Sequence, residues 1–361
     1  MLKSKSTLRS VGTENAAAGK LRMVGGGYFT SIDFVKVLAC IFVIVYHALQ
    51  EALQMQNIPF NNIFSLGRIG VSWFVLASGF ALGLNKGDMS PLDFYKSRIV
   101  KVFPFYWASY IVVALFLFLS VARPLFSANL LDTLFTVFGF DGWSLDWRIT
   151  HGTSYLVGEW YFGMLITLYL LFPFLKHAVH HSPKIILTVC ICLFLAGVHF
   201  NIYFYEFLPC WNKWWGFTLT THLWKFAFGI IIARNIQNKK FINWITGLSV
   251  LWLSLISWQV GLPWTQFTHV AWFIVIIYCY DNIIIVGEFV RGKVKMLAKY
   301  SFMAFLFQHQ IIIYFLQKHK LSGTMHDTIC YCIAIVALSF IAARLFYPLG
   351  LKIQTLLKYG E

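Results

Sequence analysis

Runs of about twenty apolar residues, each closed by a short polar stretch, recur from residue 32 to residue 347. Twenty residues of α-helix span roughly 30 Å, the thickness of a bilayer's hydrocarbon. We read about ten such runs, near 32–50, 66–84, 103–122, 154–175, 185–203, 217–233, 241–260, 268–286, 300–317 and 328–347. The predicted fold class is therefore all-α, a polytopic membrane helical bundle of about ten transmembrane helices. No connecting stretch is long enough for a separate soluble domain. The expected organisation is an N-terminal tail (1–31), one membrane domain (32–347) and a C-terminal tail (348–361). After the second run, Ser90-Pro91-Leu-Asp93 offers an N-cap serine, a proline at the first helical position and an acid in the first turn. That pattern predicts a short helix there, with Pro104 beginning or bending the next span.

Composition sharpens this picture. The chain of 361 residues is 59% hydrophobic and only 12% charged, about half the charge of an ordinary soluble domain. A formal charge of +15 invites a nucleic-acid reading, but the basic residues fall in short loops between spans, where they set topology. By these spans 21 of them lie on the side of the N-terminus, among them Arg98, Lys101, Lys176 and Arg234, and 6, including Arg68, lie opposite. The positive-inside rule then predicts cytoplasmic N- and C-termini and a multi-pass protein of the cell's inner membrane. The seven cysteines lie mostly within apolar runs with no CxxC, so neither a disulfide framework nor a metal site is expected. Residues 1–30 lack an apolar core, and no cleavable leader is expected.

Against this apolar background, ionisable residues inside spans are the functional candidates. The first span carries Asp33 and Lys36 at its start and His47 eleven residues beyond Lys36. Three turns separate Lys36 from His47, which puts them on nearly one face and roughly 16 Å apart in depth. Asp33 is spaced to pair with Lys36 at i,i+3. Histidine is the side chain suited to take a proton near neutral pH. Two outer loops bring Trp143, Asp146, Trp147, Arg148 and His151, and then Glu206, Trp211, Lys213, Trp214 and Trp215. Tryptophans so placed form an interfacial belt or stack on an extracytoplasmic sugar ring. Two further polar pairs, His222 with Lys225 and His269 with Trp272, share helix faces but point to no particular chemistry. Ser78-Gly79 within a span reads as a close helix contact before it reads as a nucleophile.

Six fragments in order along the chain resemble the acyltransferase-3 family of membrane acyltransferases, over nearly its whole length. They are Ile32-Asp33-Phe-Val-Lys36 followed by His47; Arg68 through Ser78-Gly79-Phe80; Phe94-Tyr-Lys-Ser-Arg98-Ile-Val-Lys101-Val-Phe-Pro104-Phe-Tyr106; Glu159-Trp160 through Tyr169 to Pro173; Phe226-Ala-Phe-Gly229; and Tyr300-Ser-Phe through Phe307-Gln-His309. Within the family the chain looks most like the bacterial surface-polysaccharide O-acetyltransferases. The resemblance implies an O-acyltransferase that moves an acyl group, acetyl by expectation, from cytoplasmic acyl-CoA to a hydroxyl of a cell-surface polysaccharide or its lipid-linked precursor. No metal is implied. His47 would act as general base, with Asp33 the second catalytic residue. Lys36, Arg98 and Lys101 would hold the donor's phosphates, and Glu159, Trp160, Arg68 and His309 would face the acceptor. Expected partners are acyl-CoA, the surface glycan or lipid-linked sugar, membrane lipid and proteins of polysaccharide synthesis and export, with no nucleic acid. Lys36 and Lys101 stand where the family has arginine, which keeps the charge and loses the bidentate fork.

Two other classes use similar residues. A transporter or flippase would employ buried charges for passage of substrate or protons, although no internal repeat is visible. A non-catalytic partner of polysaccharide export would keep the bundle and lose the chemistry. Ester acetate on the surface polysaccharide distinguishes the enzyme from both.

Overall fold

The computed structural model describes residues 29–55, 66–85, 87, 89–121, 130–140, 157, 159–203, 215–256, 263–318 and 324–359. Among these the chain forms eleven helices and no strand. They are α1 (Thr30–Met55), α2 (Leu66–Gly83), α3 (Pro91–Val121), α4 (Leu130–Phe138), α5 (Glu159–His181), α6 (Pro183–Tyr203), α7 (Trp215–Asn235), α8 (Lys239–Leu255), α9 (Trp264–Asn282), α10 (Glu288–Lys318) and α11 (Met325–Tyr359). Every expected span overlaps one helix. Among the described residues, five of these helices (α1, α2, α3, α5 and α11) are long and apolar enough to cross a membrane by length and composition. The perimeter is apolar, with Leu119 81% and Leu345 67% exposed, while Lys225, Gln308 and Ser72 are fully buried. That inversion of the soluble pattern identifies a polytopic helical membrane protein.

At the centre α1 packs against α2 and α10, and α2 against α7. The α2–α7 contact depends on two glycines. A Cβ on Gly79 would lie 2.2 Å from the Phe226 carbonyl oxygen, and one on Gly229 would lie 2.4 Å from that of Leu76. Backbones that meet this closely leave no room for a side chain.

The short helix expected at Ser90 is not separate. Ser90 does cap the helix, its Oγ accepting from the Asp93 amide at 3.1 Å and donating to the Asp93 carboxylate at 2.6 Å. The helix then continues without a break through Pro104 to Val121. Pro104 has no N–H, so the Val100 carbonyl one turn earlier loses its helical donor. Gln354 of α11 replaces it, donating from Nε2 to Val100 O at 3.0 Å. A side chain some 250 residues away thus ties α11 to α3 at the proline.

The stretch 123–153, between the third and fourth expected spans, contains a helix, α4. It ends against the middle of α3, where Tyr106 Oη donates to Thr136 O at 2.8 Å and Trp107 Nε1 donates to Val137 O at 2.9 Å. Gly139, at φ 76°, turns the chain there. A helix that ends inside an apolar bundle needs donors for its last carbonyls, and these two aromatic side chains supply them. At the other end of the chain, α11 runs past the expected boundary at 347 to Tyr359, through Pro348.

Candidate functional site

His47 lies in the second half of α1, half-buried, and its ring meets that of His309 on α10 with centroids 4.3 Å apart. Tyr46 packs edge-on to His47 at 5.0 Å, and the Gln50 side chain, one turn on, hydrogen-bonds it. Two residues from widely separated fragments are therefore one pair. A histidine ring with a second imidazole and an amide within reach can be held in one tautomer, as a proton acceptor must be.

Asp33 and Lys36 lie at the opposite end of α1. Lys36 Nζ is 3.6 Å from Asp33 Oδ1, the i,i+3 pair that the spacing predicts. Nearby, Ser31 Oγ donates to Asp281 Oδ2 at 2.9 Å, and Phe34 stacks on Tyr280 at 5.0 Å. This group ties the start of α1 to the end of α9.

Arg98 and Lys101 of α3 line a cavity of about 1120 Å³ between the facing ends of α2, α3, α5 and α7. Lys176, His177 and His180 of α5 and Arg234 of α7 line it too, and among its described lining residues there is no carboxylate. Lys36 is not in this wall, so the structure brings together two of the three expected phosphate-binding residues. Arg98 lies over the Phe94 ring at 5.5 Å, and its buried Nε has no hydrogen-bond partner. In the sequence, Lys176 and Arg234 count only toward topology. Their pattern carried no further signal, because the wall is assembled from four helices.

A file of hydroxyls leads from this cavity into the bundle. Tyr169 neighbours Arg98 and hydrogen-bonds Ser78, which also bonds Tyr161. Tyr161 packs on Phe305 at 5.1 Å, and Phe305 is one turn from His309 on α10. Gly79, not Ser78, makes the close helix contact, and Ser78 turns toward α5. The rise from Tyr169 to Tyr161 is roughly 12 Å and from Phe305 to His309 roughly 6 Å, so the histidine pair lies about 18 Å beyond the level of Arg98.

Of the expected acceptor residues, Trp160 is half-buried at the start of α5, with its ring 6.2 Å from that of Tyr161. Glu159 is the first residue of that helix, and its side chain lies outside the described residues. Arg68 is exposed in the first turn of α2. The Trp and His residues of the two outer loops lie outside the described residues, or, for Trp215, have their side chain outside them.

A second polar group stands apart from this file. Lys225 of α7, wholly buried, donates to Ser72 Oγ at 2.8 Å and to Gln266 Oε1. Ser72 Oγ is also 3.1 Å from His269 Nδ1, and Trp73 Nε1 donates to the His269 carbonyl. The group joins α2, α7 and α9. His222 and Lys225 share a face of α7, and the partners of Lys225 come from other helices.

These elements define a polytopic helical membrane protein with a basic cavity at one end of the bundle and a histidine pair further along it. The chain belongs to the acyltransferase-3 family, whose acyltransferase-domain model matches residues 29–344, and it is a membrane acyltransferase. No curated protein and no solved structure matches it.

Proposed function

We propose that this acyltransferase moves an acetyl group from cytoplasmic acetyl-CoA to a hydroxyl of a cell-surface polysaccharide or its lipid-linked precursor, in the inner membrane with both termini cytoplasmic. The observation that carries this reading is the cavity with Arg98, Lys101, Lys176 and Arg234 in its wall and no carboxylate among its described lining residues. Uncompensated cations around a space of this size suit a ligand with several phosphates and an organic arm. The donor's nucleotide occupies the cavity, and its pantetheine arm passes Tyr169, Ser78 and Tyr161 toward His47.

His47 accepts the proton of the acceptor hydroxyl as the oxygen attacks the thioester carbon. The C–S bond breaks, the acyl group becomes an ester, and the proton passes from His47 to the departing thiolate, giving free CoA. His309 and Gln50 orient the imidazole. Lys36 and Asp33, about three and four turns from His47 along α1, take no part in the proton transfer and position the helix start. Trp160 and Arg68 meet the acceptor.

The test is His47→Ala beside wild type in cells whose surface polysaccharide is analysed for ester acetate, with membrane levels matched. Acetylation should fall by about 10²–10⁴, the usual contribution of a general base. Unchanged acetylation by a well-expressed variant removes His47 from the chemistry.

A further inference from the structure

The cavity's four strong cations are not one cluster. Arg98 lies beside Tyr169, with Phe94 packed on Phe172 at 4.7 Å fixing α3 against α5 at that level. Lys176 is seven residues further along α5 and His180 eleven, roughly 10 and 16 Å toward the helix end. Arg234 is the penultimate residue of α7 and donates to His180 Nδ1. The cavity therefore has an inner basic group, Arg98 with Lys101, and an outer one, Lys176 with Arg234.

Both outer cations are held by neutral acceptors. Lys176 Nζ donates to the Gly87 carbonyl at 2.8 Å, and Arg234 to an imidazole. Among the described residues neither has a carboxylate partner. Their side chains are thus oriented without a carboxylate partner among the described residues, an arrangement that favours an incoming anion.

A coenzyme A thioester carries its phosphate in two places. A diphosphate joins the pantetheine arm to the ribose, and a monoester phosphate sits on the ribose 3′ oxygen. With the acyl end directed inward, the diphosphate enters before the adenosine. We infer that Arg98 and Lys101 hold the diphosphate and that Arg234 and Lys176 form a separate site for the 3′-phosphate. This rests on the acyl-CoA reading above and goes beyond it, because it gives the protein a means of selecting the phosphorylated coenzyme. Arg234 supplies the fork that a monoester phosphate accepts in bidentate fashion, and Lys176 a point charge beside it.

The experiment measures equilibrium binding of CoA and of dephospho-CoA to the purified full chain in lipid nanodiscs at fixed salt. Binding needs no knowledge of the acceptor. Wild type should bind CoA about tenfold more tightly than dephospho-CoA, the effect of one partly exposed charge-assisted pair. Arg234→Gln should weaken CoA to the level of dephospho-CoA and leave dephospho-CoA unchanged, and Lys176→Gln should go partway. Arg98→Gln should weaken both ligands by a similar factor. If Arg234→Gln and the double variant with Lys176→Gln keep the wild-type ratio, or if wild type binds the two ligands equally, the 3′-phosphate site is wrong while the donor cavity stands. If wild type binds neither ligand, the donor reading itself is lost.

Discussion

Substituting alanine for Gly79 tests the contact on which the α2–α7 core depends. The added Cβ would be 2.2 Å from the Phe226 carbonyl oxygen and 3.0 Å from its carbon. Both atoms are backbone, so no side chain can rotate away, and α2 must retreat by about 1 Å to restore van der Waals distance. Overpacking of this kind costs about 1–3 kcal/mol, and a rigid backbone partner puts it near the upper end. Alanine in a helix recovers about 1 kcal/mol over glycine. The net is roughly 2 kcal/mol of destabilisation, a fall in Tm of about 2–4 °C for a chain of this size. Gly247, exposed on α8 with nothing within 4 Å of a built Cβ, is the matched control. There the same substitution retains only the propensity gain and should raise Tm slightly. The assay is thermal unfolding of the two variants and wild type in identical nanodiscs. Gly79→Ala at or above the wild-type Tm would refute the close-contact argument, and so would two variants that shift in the same direction.

Removing Gln354 should strand the Val100 carbonyl beneath Pro104, so Gln354→Leu lowers stability by about 1–3 kcal/mol. Pro104→Ala added to it restores an N–H to that carbonyl and should recover most of the loss; strictly additive effects in thermal unfolding would show that the two do not share it. Lys36→Arg, outside the cavity and paired with Asp33, should leave the CoA dissociation constant within about twofold of wild type. Lys101→Arg, in the inner basic group, should tighten CoA binding severalfold through a bidentate contact, and the reverse ranking would reassign the two lysines.

The legible parts of this fold are those set by residues near one another in sequence. Apolar runs placed the spans because a membrane imposes one length and one composition on each. Ser90 and Asp93 predicted a helix start because capping is local. The end of that helix was not local: its continuation past Pro104 depends on Gln354 of α11. Likewise, α4 depends on Tyr106 and Trp107 of α3 for its terminal carbonyls, and nothing between 123 and 153 announces them. The candidate site divides in the same way. The resemblance marked His47 and His309 singly, but their 4.3 Å contact arises from the packing of α1 on α10. Lys176 and Arg234 looked like topology determinants, and only the common cavity gives them a second role.

The position of α2 connects these observations. Ser72 and Ser78 are six residues apart, so they leave the helix about 120° from each other. Ser72 meets Lys225 of α7 and lies beside His269 of α9, whereas Ser78 bonds Tyr161 and Tyr169 of α5. Between them, Gly79 seats the helix on the α7 backbone. A buried lysine that donates to a serine and an amide, with no carboxylate among those contacts, is costly in an apolar bundle, and losing either acceptor would cost more. Here they anchor one face of α2 and leave the other free to present Ser78 to the file that leads from the basic cavity to the histidines. A shift of α2 would therefore be felt at both ends of the proposed acyl path, at Tyr169 beside Arg98 and at Tyr161 below Phe305. On this argument Gly79→Ala should lower catalysis as well as stability, although neither Gly79 nor Phe226 touches the donor.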